Sequence, residues 1–525
     1  MTRIHTQRAL SFVTLALAAV TVLVGCKKTG VTETSGSTAQ TPADFDDGWP
    51  GMPIPGAAPT FEVPAAESFT LSNGMPVTVI QRGTIPLVYL RLNVYTGSQA
   101  DPAGKEGLAA FTTDLMNEGT TSRDALAISD ELQRMASSMG ISAGLSNSSL
   151  SINCLEDKLT ESLVLARDVL ENPTFKQADI DRVRGDRKSR LLTQRDDAGA
   201  VNYKVFTKLL YGDHYVGRPT AGTAASLDAI SAEDMQSWHK NVFVPSNMGL
   251  IVVSRLSGED VMSQLEAGLG SWNPEGGTPP TAALVTPEPK QGVQIYWVNR
   301  PGASQSNIRV GSLSPAFSAE KHQAWNLANM VLGGQFSSRV NLNLREDKGY
   351  TYGARSSAWD GPHGGMFTAR SSVRTATTGP SLYEFFKELG DIVGERPITQ
   401  DEFDAVVSRS NQGYPARFEN MGGVLSAFAG VDAKRRPEGW LSSHGDRVGA
   451  VSLESAQAAI RELVNPANLT VVVVGDWNAE VGSPETADGR ERPIKLTVGD
   501  EVRGLNVGEV IFLDEEGLVV EEPTP

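Results

Sequence analysis

The chain has 525 residues and a formal net charge of −16 at pH 7. This length is enough for about three domains of ~150 residues with large hydrophobic cores. Because an acidic chain is a poor ligand for nucleic acid, we expect no nucleic-acid partner.

The first residues predict a secretory leader and not a folded element. Arg3 and Arg8 precede an apolar run that ends at Gly25, and a cysteine follows directly. This order is typical of a bacterial lipoprotein signal peptide at residues 1–25, with Cys26 as the lipidated first residue of the mature chain. We therefore expect a lipid-anchored protein of the bacterial cell envelope that faces the periplasm. A plain signal peptide or a short membrane anchor is the alternative.

The body of the protein is predicted to follow a flexible tether. Residues 26–65 are rich in Thr, Ser, Gly, Pro and Ala, a composition that buries too little apolar surface to order itself. Residues 69–80 hold two apolar runs separated by an Asn-Gly pair, which predicts a hairpin. Residues 87–97 alternate as a strand, and residues 105–118 carry apolar side chains at helical spacing.

Further elements of the N-terminal half follow the same alternation of strand and helix. Residues 149–155 form a predicted strand in which Cys154 is a small buried hydrophobe. Residues 158–175 predict an amphipathic helix that ends before a proline, and residues 178–195 predict a second, highly charged helix.

An internal repeat relates the two halves of the body. Residues 230–254 and 451–475 align at a constant offset of 221 residues. Both predict a helix, a Pro-x-Asn turn and a β-branched strand. The identical pairs are Ser231/Ser452, Glu233/Glu454, Gln236/Gln457, Pro245/Pro466 and Asn247/Asn468.

From this repeat we predict an α+β fold of two homologous domains, each a mixed β-sheet packed with helices and related to the other by pseudo-symmetry. The first domain covers residues 66–260 and the second covers 293–478. A Pro- and Gly-rich linker, 261–292, joins them, and residues 479–525 form an acidic C-terminal extension.

Several sequence segments in this order resemble the insulinase/pitrilysin-like metallopeptidases of the processing-peptidase type. The first domain contains "LSNGMPVTVI", "YTGSQADPAGKEGLAAF", "MNEGTTSR" and "YGDHYVGRPTAGT", and the second contains "LGGQFSSRVNLNLREDKGYTYGARS". The resemblance covers residues 66–478. It implies that the two domains form one half of a clamshell, which pairs with another chain to enclose a chamber for unfolded peptides.

Active members of that family carry the inverted zinc motif His-x-x-Glu-His on the helix after Gly-Leu-Ala. In this chain the two histidine positions fall on Ala110 and Asp114, and the glutamate position falls on Thr113. Alanine has no ligand atom, threonine is no general base at neutral pH, and one carboxylate does not make a zinc site. The resemblance therefore implies a degenerate zinc motif and no metal in this chain.

The remaining zinc ligands of the family are also missing. A later helix should supply a glutamate, yet no glutamate occurs between Glu171 and Glu233, and Asp186 is the conceivable substitute. Five histidines follow the leader, and no two lie within five residues of each other: His214, His239, His322, His363 and His444. We expect each of these to be a surface or packing residue.

The second domain keeps the segment "LREDKGYTYG" whole. By resemblance, Arg345 and Tyr352 reach the substrate across the chamber, where an arginine fork holds a peptide carbonyl and a tyrosine hydroxyl stabilises the oxyanion. The alternative is structural, with Arg345 paired to Glu346 or another nearby acid and Tyr352 packed on a strand.

These features predict a membrane-anchored, non-catalytic subunit of a zinc endopeptidase. It would form a heterodimer with a zinc-bearing family member and act with it on peptides or unfolded polypeptides. One alternative is a peptide-binding or scaffold lipoprotein without proteolytic role. A second alternative is a metallopeptidase with noncanonical ligands, which would need a metal at Asp114 or elsewhere.

Overall fold

The computed structural model describes residues 61–274, 277–282, 284–481 and 496–524, which build two six-stranded sheets and their covering helices. The predictions for the signal peptide, for Cys26 and for most of the tether lie outside these residues. Within the described ranges, no helix has both the length and the apolarity needed to cross a bilayer.

The first sheet belongs to the first domain. Its strands are β1 (Glu67–Thr70), β2 (Pro76–Gln81), β3 (Leu87–Val94), β4 (Ser138–Ala143), β5 (Ser148–Leu155) and β6 (Met248–Ser254). They lie in the spatial order β1-β2-β6-β3-β5-β4. β2 and β6 run parallel and the other neighbours run antiparallel. The predicted hairpin is confirmed, because β1 and β2 pair on either side of the Asn-Gly turn, where Gly74 has a φ of 85°.

Eight helices follow in the N-terminal half. They are α1 (Leu108–Met116), α2 (Ala125–Arg134), α3 (Leu159–Glu171), α4 (Gln177–Gln194), α5 (Ala198–Tyr211), α6 (Ala224–Ala229), α7 (Ala232–Val242) and α8 (Gly258–Leu265). Phe111 of α1, Leu163 of α3 and Trp238 of α7 lie in one hydrophobic core with Leu90 of β3. The buried strand residues and the apolar helix faces together form this core.

The second sheet repeats the arrangement of the first. The remaining strands are β7 (Gln294–Asn299), β8 (Gln305–Ser314), β9 (Thr351–Gly361), β10 (Gly364–Arg374), β11 (Thr470–Gly475), β12 (Glu480–Val481), β13 (Leu496–Thr497) and β14 (Glu509–Leu513). β12 and β13 pair with each other, and the others lie in the order β14-β7-β11-β8-β10-β9. As in the first sheet, a parallel pair, here β7 and β11, is followed on the β11 side by antiparallel neighbours.

Eight further helices belong to the C-terminal half. They are α9 (His322–Asn329), α10 (Arg339–Asn341), α11 (Thr378–Val393), α12 (Gln400–Gly413), α13 (Met421–Ala433), α14 (His444–Gly449), α15 (Leu453–Leu463) and α16 (Val498–Gly504). Two π-helical turns, Met330–Gly334 and Leu342–Asp347, extend α9 and α10.

The structure confirms the internal repeat. α7 and α15 both begin with a serine capping box, Ser231 and Ser452, and each leads into a strand buried along its whole length. β6 and β11 take the same place in their sheets, next to a parallel strand on one side and an antiparallel strand on the other. The α+β fold of two pseudo-symmetric domains is therefore correct.

The two domains exchange one helix each. α5 of the first domain packs on β8 and β11 of the second sheet, where the Asn202 amide donates to the carbonyls of Asn307 and Val472. α13 of the second domain packs on β3 and β6 of the first sheet, where the Asn93 amide donates to the Ala429 carbonyl. Each sheet therefore has its second face covered in part by the other domain.

The C-terminal extension contributes a strand to the second domain. β14 pairs in parallel with β7, so that Phe512 lies opposite Trp297. The Phe512 ring also contacts Trp477 edge-on, with 4.9 Å between the ring centroids. β14 takes the edge position that β1 occupies in the first sheet, although β1 runs antiparallel to its neighbour.

Candidate functional site

Helix α1, which carries the degenerate zinc motif, begins at a fixed backbone geometry. Gly107 precedes it with a φ of 92°, and a Cβ there would lie 2.9 Å from the carbonyl oxygen of Ala221, so only glycine fits. The Asp101 carboxylate accepts hydrogen bonds from the N–H groups of Gly107 and Ala109 at 2.9 and 3.0 Å. Asp101 is 4% exposed, and burial raises its pKa to about 7 against the lowering effect of these N–H donors.

The three motif positions lie on α1 as the sequence predicts, but they are not arranged as metal ligands. The buried Thr113 hydroxyl donates to the carbonyl of Ala110 at 3.1 Å, within the same helix. Asp114 is half-buried, and its carboxylate forms an ion pair of 2.8 Å with Arg187. The only charged side chain of the three positions is therefore already neutralised.

Arg187, on α4, fills the space that faces the motif. The residue is 8% exposed, and burial lowers its pKa while the Asp114 carboxylate opposes that effect. Its guanidinium lies 5.4 Å from the centroid of the Phe111 ring, a cation–π contact. Arg190, one turn further along α4, lies 3.9 Å from Asp114. Two arginines on this helix thus stand beside Asp114.

Asp186, the conceivable substitute for the missing glutamate, does not join this group. Its carboxylate is paired at 3.6 Å with Arg182 of its own helix, and more than half of its side chain is exposed. One carboxylate beside two guanidiniums does not fit Zn²⁺, which needs several N, O or S donors and is repelled by cations. Within the described residues, no group of three or more His, Cys, Asp or Glu side chains is placed to hold a metal ion.

The histidines lie in separate packing environments. His214 stacks on the ring of Tyr211 and contacts the ring of Tyr215. Tyr215 also contacts His363, so the two histidines share a neighbour, but no third ligand lies with them in the described part of the chain. The other three contact Leu170, Asp360 and Tyr414, respectively: His239, His322 and His444.

Arg345 and Tyr352 come together at the edge of the second domain. Arg345 lies on the π-helical turn Leu342–Asp347, and Tyr352 lies near the start of β9. The guanidinium of Arg345 is 4.6 Å from the centroid of the Phe336 ring and 5.9 Å from that of Tyr352. It also pairs with the exposed carboxylate of Glu346 at 3.1 Å. The sequence did not point to Phe336, which follows the glycine-rich turn and is itself exposed.

Tyr352 is exposed because of a local irregularity in the sheet. The pairing of β9 with β10 shifts between Ser371 and Val373, so that Tyr352 and Gly353 together face Ser372. Such a bulge bends the strand and re-aims a side chain. Tyr352 is 95% exposed, and no hydrogen bond in the described part of the chain occupies its hydroxyl. The tyrosine therefore does not pack on a strand, whereas Arg345 does pair with Glu346.

Comparison with known proteins places both halves in one family. The model described as "Insulinase (Peptidase family M16)" matches residues 77–224, and the model described as "Peptidase M16 inactive domain" matches residues 229–410. An uncharacterised zinc protease of Streptomyces coelicolor is 21% identical over 400 residues, which cover 75% of this chain and 86% of the relative.

Two further relatives lie on the non-catalytic side of this family. A non-peptidase homologue of Helicobacter pylori, YmxG, is 20% identical over 405 residues, which cover 77% of this chain and 92% of the relative. The crystal structure of a peptidase M16 inactive domain from Pseudomonas fluorescens superposes with a TM-score of 0.72 at 22% identity, covering 80% of this chain and 99% of that chain. This likeness shows that the fold is shared.

Proposed function

Because the chain belongs to the peptidase M16 (insulinase) family and its zinc motif is occupied by an ion pair, we propose that it is a non-catalytic subunit of a zinc endopeptidase. It would act together with a zinc-bearing member of the same family on peptides or unfolded polypeptides. The observation that carries this proposal is the contact of Arg187 with Asp114, where an active relative would need a histidine and a metal.

This chain's contribution would come from the exposed side chains of the second domain. The Tyr352 hydroxyl is free to donate a hydrogen bond to the oxyanion that forms when water attacks a peptide carbonyl. Arg345 can hold a substrate carbonyl with its guanidinium. Its ion pair with Glu346 is exposed to solvent, so breaking that pair to bind a substrate costs little free energy. The partner's zinc would supply the activated water.

The test is reconstitution with a family member that carries an intact His-x-x-Glu-His motif. Hydrolysis of fluorescein-labelled, unfolded casein should be negligible with this chain alone and should rise at least tenfold when the two chains are mixed. Hydrolysis by the isolated chain with stoichiometric bound zinc would refute the proposal. Casein binding without any stimulation of hydrolysis would favour a peptide-binding scaffold in its place.

We also propose that Cys26 anchors the protein by lipid in the bacterial cell envelope, on the periplasmic side. The support is the leader pattern at residues 1–25. Metabolic labelling with an alkyne fatty acid should mark the wild-type chain and leave the Cys26→Ser variant unlabelled and released from the membrane fraction. Equal labelling of both chains would contradict this assignment.

A further inference from the structure

Three arginines form a row across the second sheet. Arg370 of β10 lies directly opposite Arg309 of β8 on one side and directly opposite Arg355 of β9 on the other. Side chains of directly opposed residues project from the same face of a sheet, with Cβ atoms about 5 Å apart. The three arginine side chains therefore start from one line across three adjacent strands.

No carboxylate neutralises this row in the part of the chain that the structure describes. Arg309 is 6% exposed, and its side chain donates to the Asn202 amide oxygen at 3.1 Å and lies over the Tyr203 ring. Burial lowers the pKa of Arg309 to about 10, and the charge of Arg370 adds to this effect. Arg355 and Arg370 are exposed, and neither forms an ion pair or hydrogen bond within the described ranges. Because like charges on directly opposed residues destabilise a sheet, the arginine row lowers the stability of the chain when no anion is bound.

The row forms one wall of an open cavity of about 660 Å³ between the second sheet and the start of α5. Hydroxyl groups of Ser357 and Thr368 stand beside the guanidiniums, 3.1 Å from each other. The one acidic residue of the lining, Asp197, accepts hydrogen bonds from the N–H groups of Gly199 and Ala200. The cavity is therefore net positive in a chain whose formal charge is −16.

We propose that the arginine row binds acidic segments of peptides, whose Asp and Glu carboxylates act as the missing counterions. A guanidinium fork matches a carboxylate in geometry and charge. The exposed guanidiniums of Arg355 and Arg370 offer two forks about one strand spacing apart, which suits two carboxylates of one extended peptide, and Arg309, 6% exposed, adds positive charge beside them. This inference rests on the proposed function, which makes an unfolded peptide the ligand. It specifies further that the bound peptide segment is acidic.

The test measures binding to the full chain without any partner. A fluorescent decapeptide of alternating Glu and Ser should bind, should release as the salt concentration rises, and should bind at least tenfold more tightly than the same peptide with Gln in place of Glu. The double variant Arg355→Ala/Arg370→Ala should weaken binding at least tenfold. The matched control is Arg374→Ala, an exposed arginine further along β10 and outside the cavity, which should change the Kd by less than twofold.

A stability measurement separates binding from a structural role. Because Arg370 is the central like charge, Arg370→Ala should leave the Tm unchanged or raise it by on the order of 1 °C. A fall in Tm, an unchanged Kd in the double variant, equal binding of the Gln peptide, or tighter binding of inorganic triphosphate would each overturn the proposal. Because this binding assay contains no zinc-bearing partner, its outcome does not depend on the hydrolysis test. A failure of either proposal can therefore be recognised separately from a failure of the other.

Discussion

The region around α1 and the region around Tyr352 differ in whether their polar side chains are free to bind a ligand. In the first domain, both polar side chains of the degenerate motif have partners: the Thr113 hydroxyl donates to the Ala110 carbonyl of its own helix, and Asp114 pairs with Arg187. In the second domain, Tyr352 is almost fully exposed, and Glu346, which forms an ion pair with Arg345, is exposed as well. Asp114 stands where an active relative has a histidine, and its half-buried carboxylate is the counterion of the buried Arg187 guanidinium.

The largest expected effect tests the ion pair between Asp114 and Arg187 in the first region. In Asp114→Ala the guanidinium of Arg187 stays largely buried without its carboxylate, so the free energy of unfolding should fall by about 3 kcal/mol. Urea unfolding followed by circular dichroism measures this change.

The matched control for that change is Asp186→Ala, which removes an exposed carboxylate from α4. It should cost less than about 0.5 kcal/mol. Equal losses for the two variants would show that the contact of Asp114 with Arg187 does not hold the region together.

The second effect tests the exposed region. In the reconstituted assembly, Tyr352→Phe should lower kcat by about 100-fold, because one oxyanion donor is lost, and should leave the Tm unchanged. Tyr383→Phe, at another exposed tyrosine of the second domain, is the control and should keep full activity. An unchanged kcat in Tyr352→Phe would remove this residue from the mechanism.

A third, smaller effect concerns the start of α1. Because the folded-state pKa of Asp101 is raised to about 7, its contribution to stability is fully present below about pH 4 and is lost as the pH rises through about 7. Asp101→Asn cannot ionise, so the excess stability of the wild type over this variant should shrink by about 2 kcal/mol between pH 5 and pH 8.

Unfolding curves of both proteins at several pH values measure that difference. Asp124→Asn, at the exposed N-cap of α2, is the control, and its difference from the wild type should change by less than about 0.5 kcal/mol. A constant difference for Asp101→Asn would mean that its carboxylate is ionised in the folded protein throughout this range.

The smallest expected change is in metal content. The triple variant Ala110→His/Thr113→Glu/Asp114→His restores the family's motif but leaves Arg187 facing it, so zinc should stay well below one ion per chain. Adding Arg187→Glu supplies a third ligand and removes the cation, and should raise the zinc content, measured by mass spectrometry, toward one. Stoichiometric zinc in the triple variant would show that Arg187 does not exclude the metal.

Most of the fold was predictable because its signals are local. The Asn-Gly pair specifies the turn between β1 and β2, and the serine capping boxes begin α7 and α15 at equivalent places in the repeat. The loss of zinc ligands was equally visible, since it depends on which atoms Ala110 and Thr113 carry. The pairing of β14 with β7 was not visible, because it joins distant segments of the chain through sheet register.

The sequence by itself determined the repeated α+β architecture and the absence of a zinc motif on α1, because periodicity, turn residues and donor atoms are properties of short segments. Only the tertiary structure decided that Arg187 neutralises Asp114, that a bulge exposes Tyr352, and that Arg309, Arg355 and Arg370 stand in one row. These outcomes depend on helix packing and strand register, which bring distant residues together and fix how much water each charge keeps.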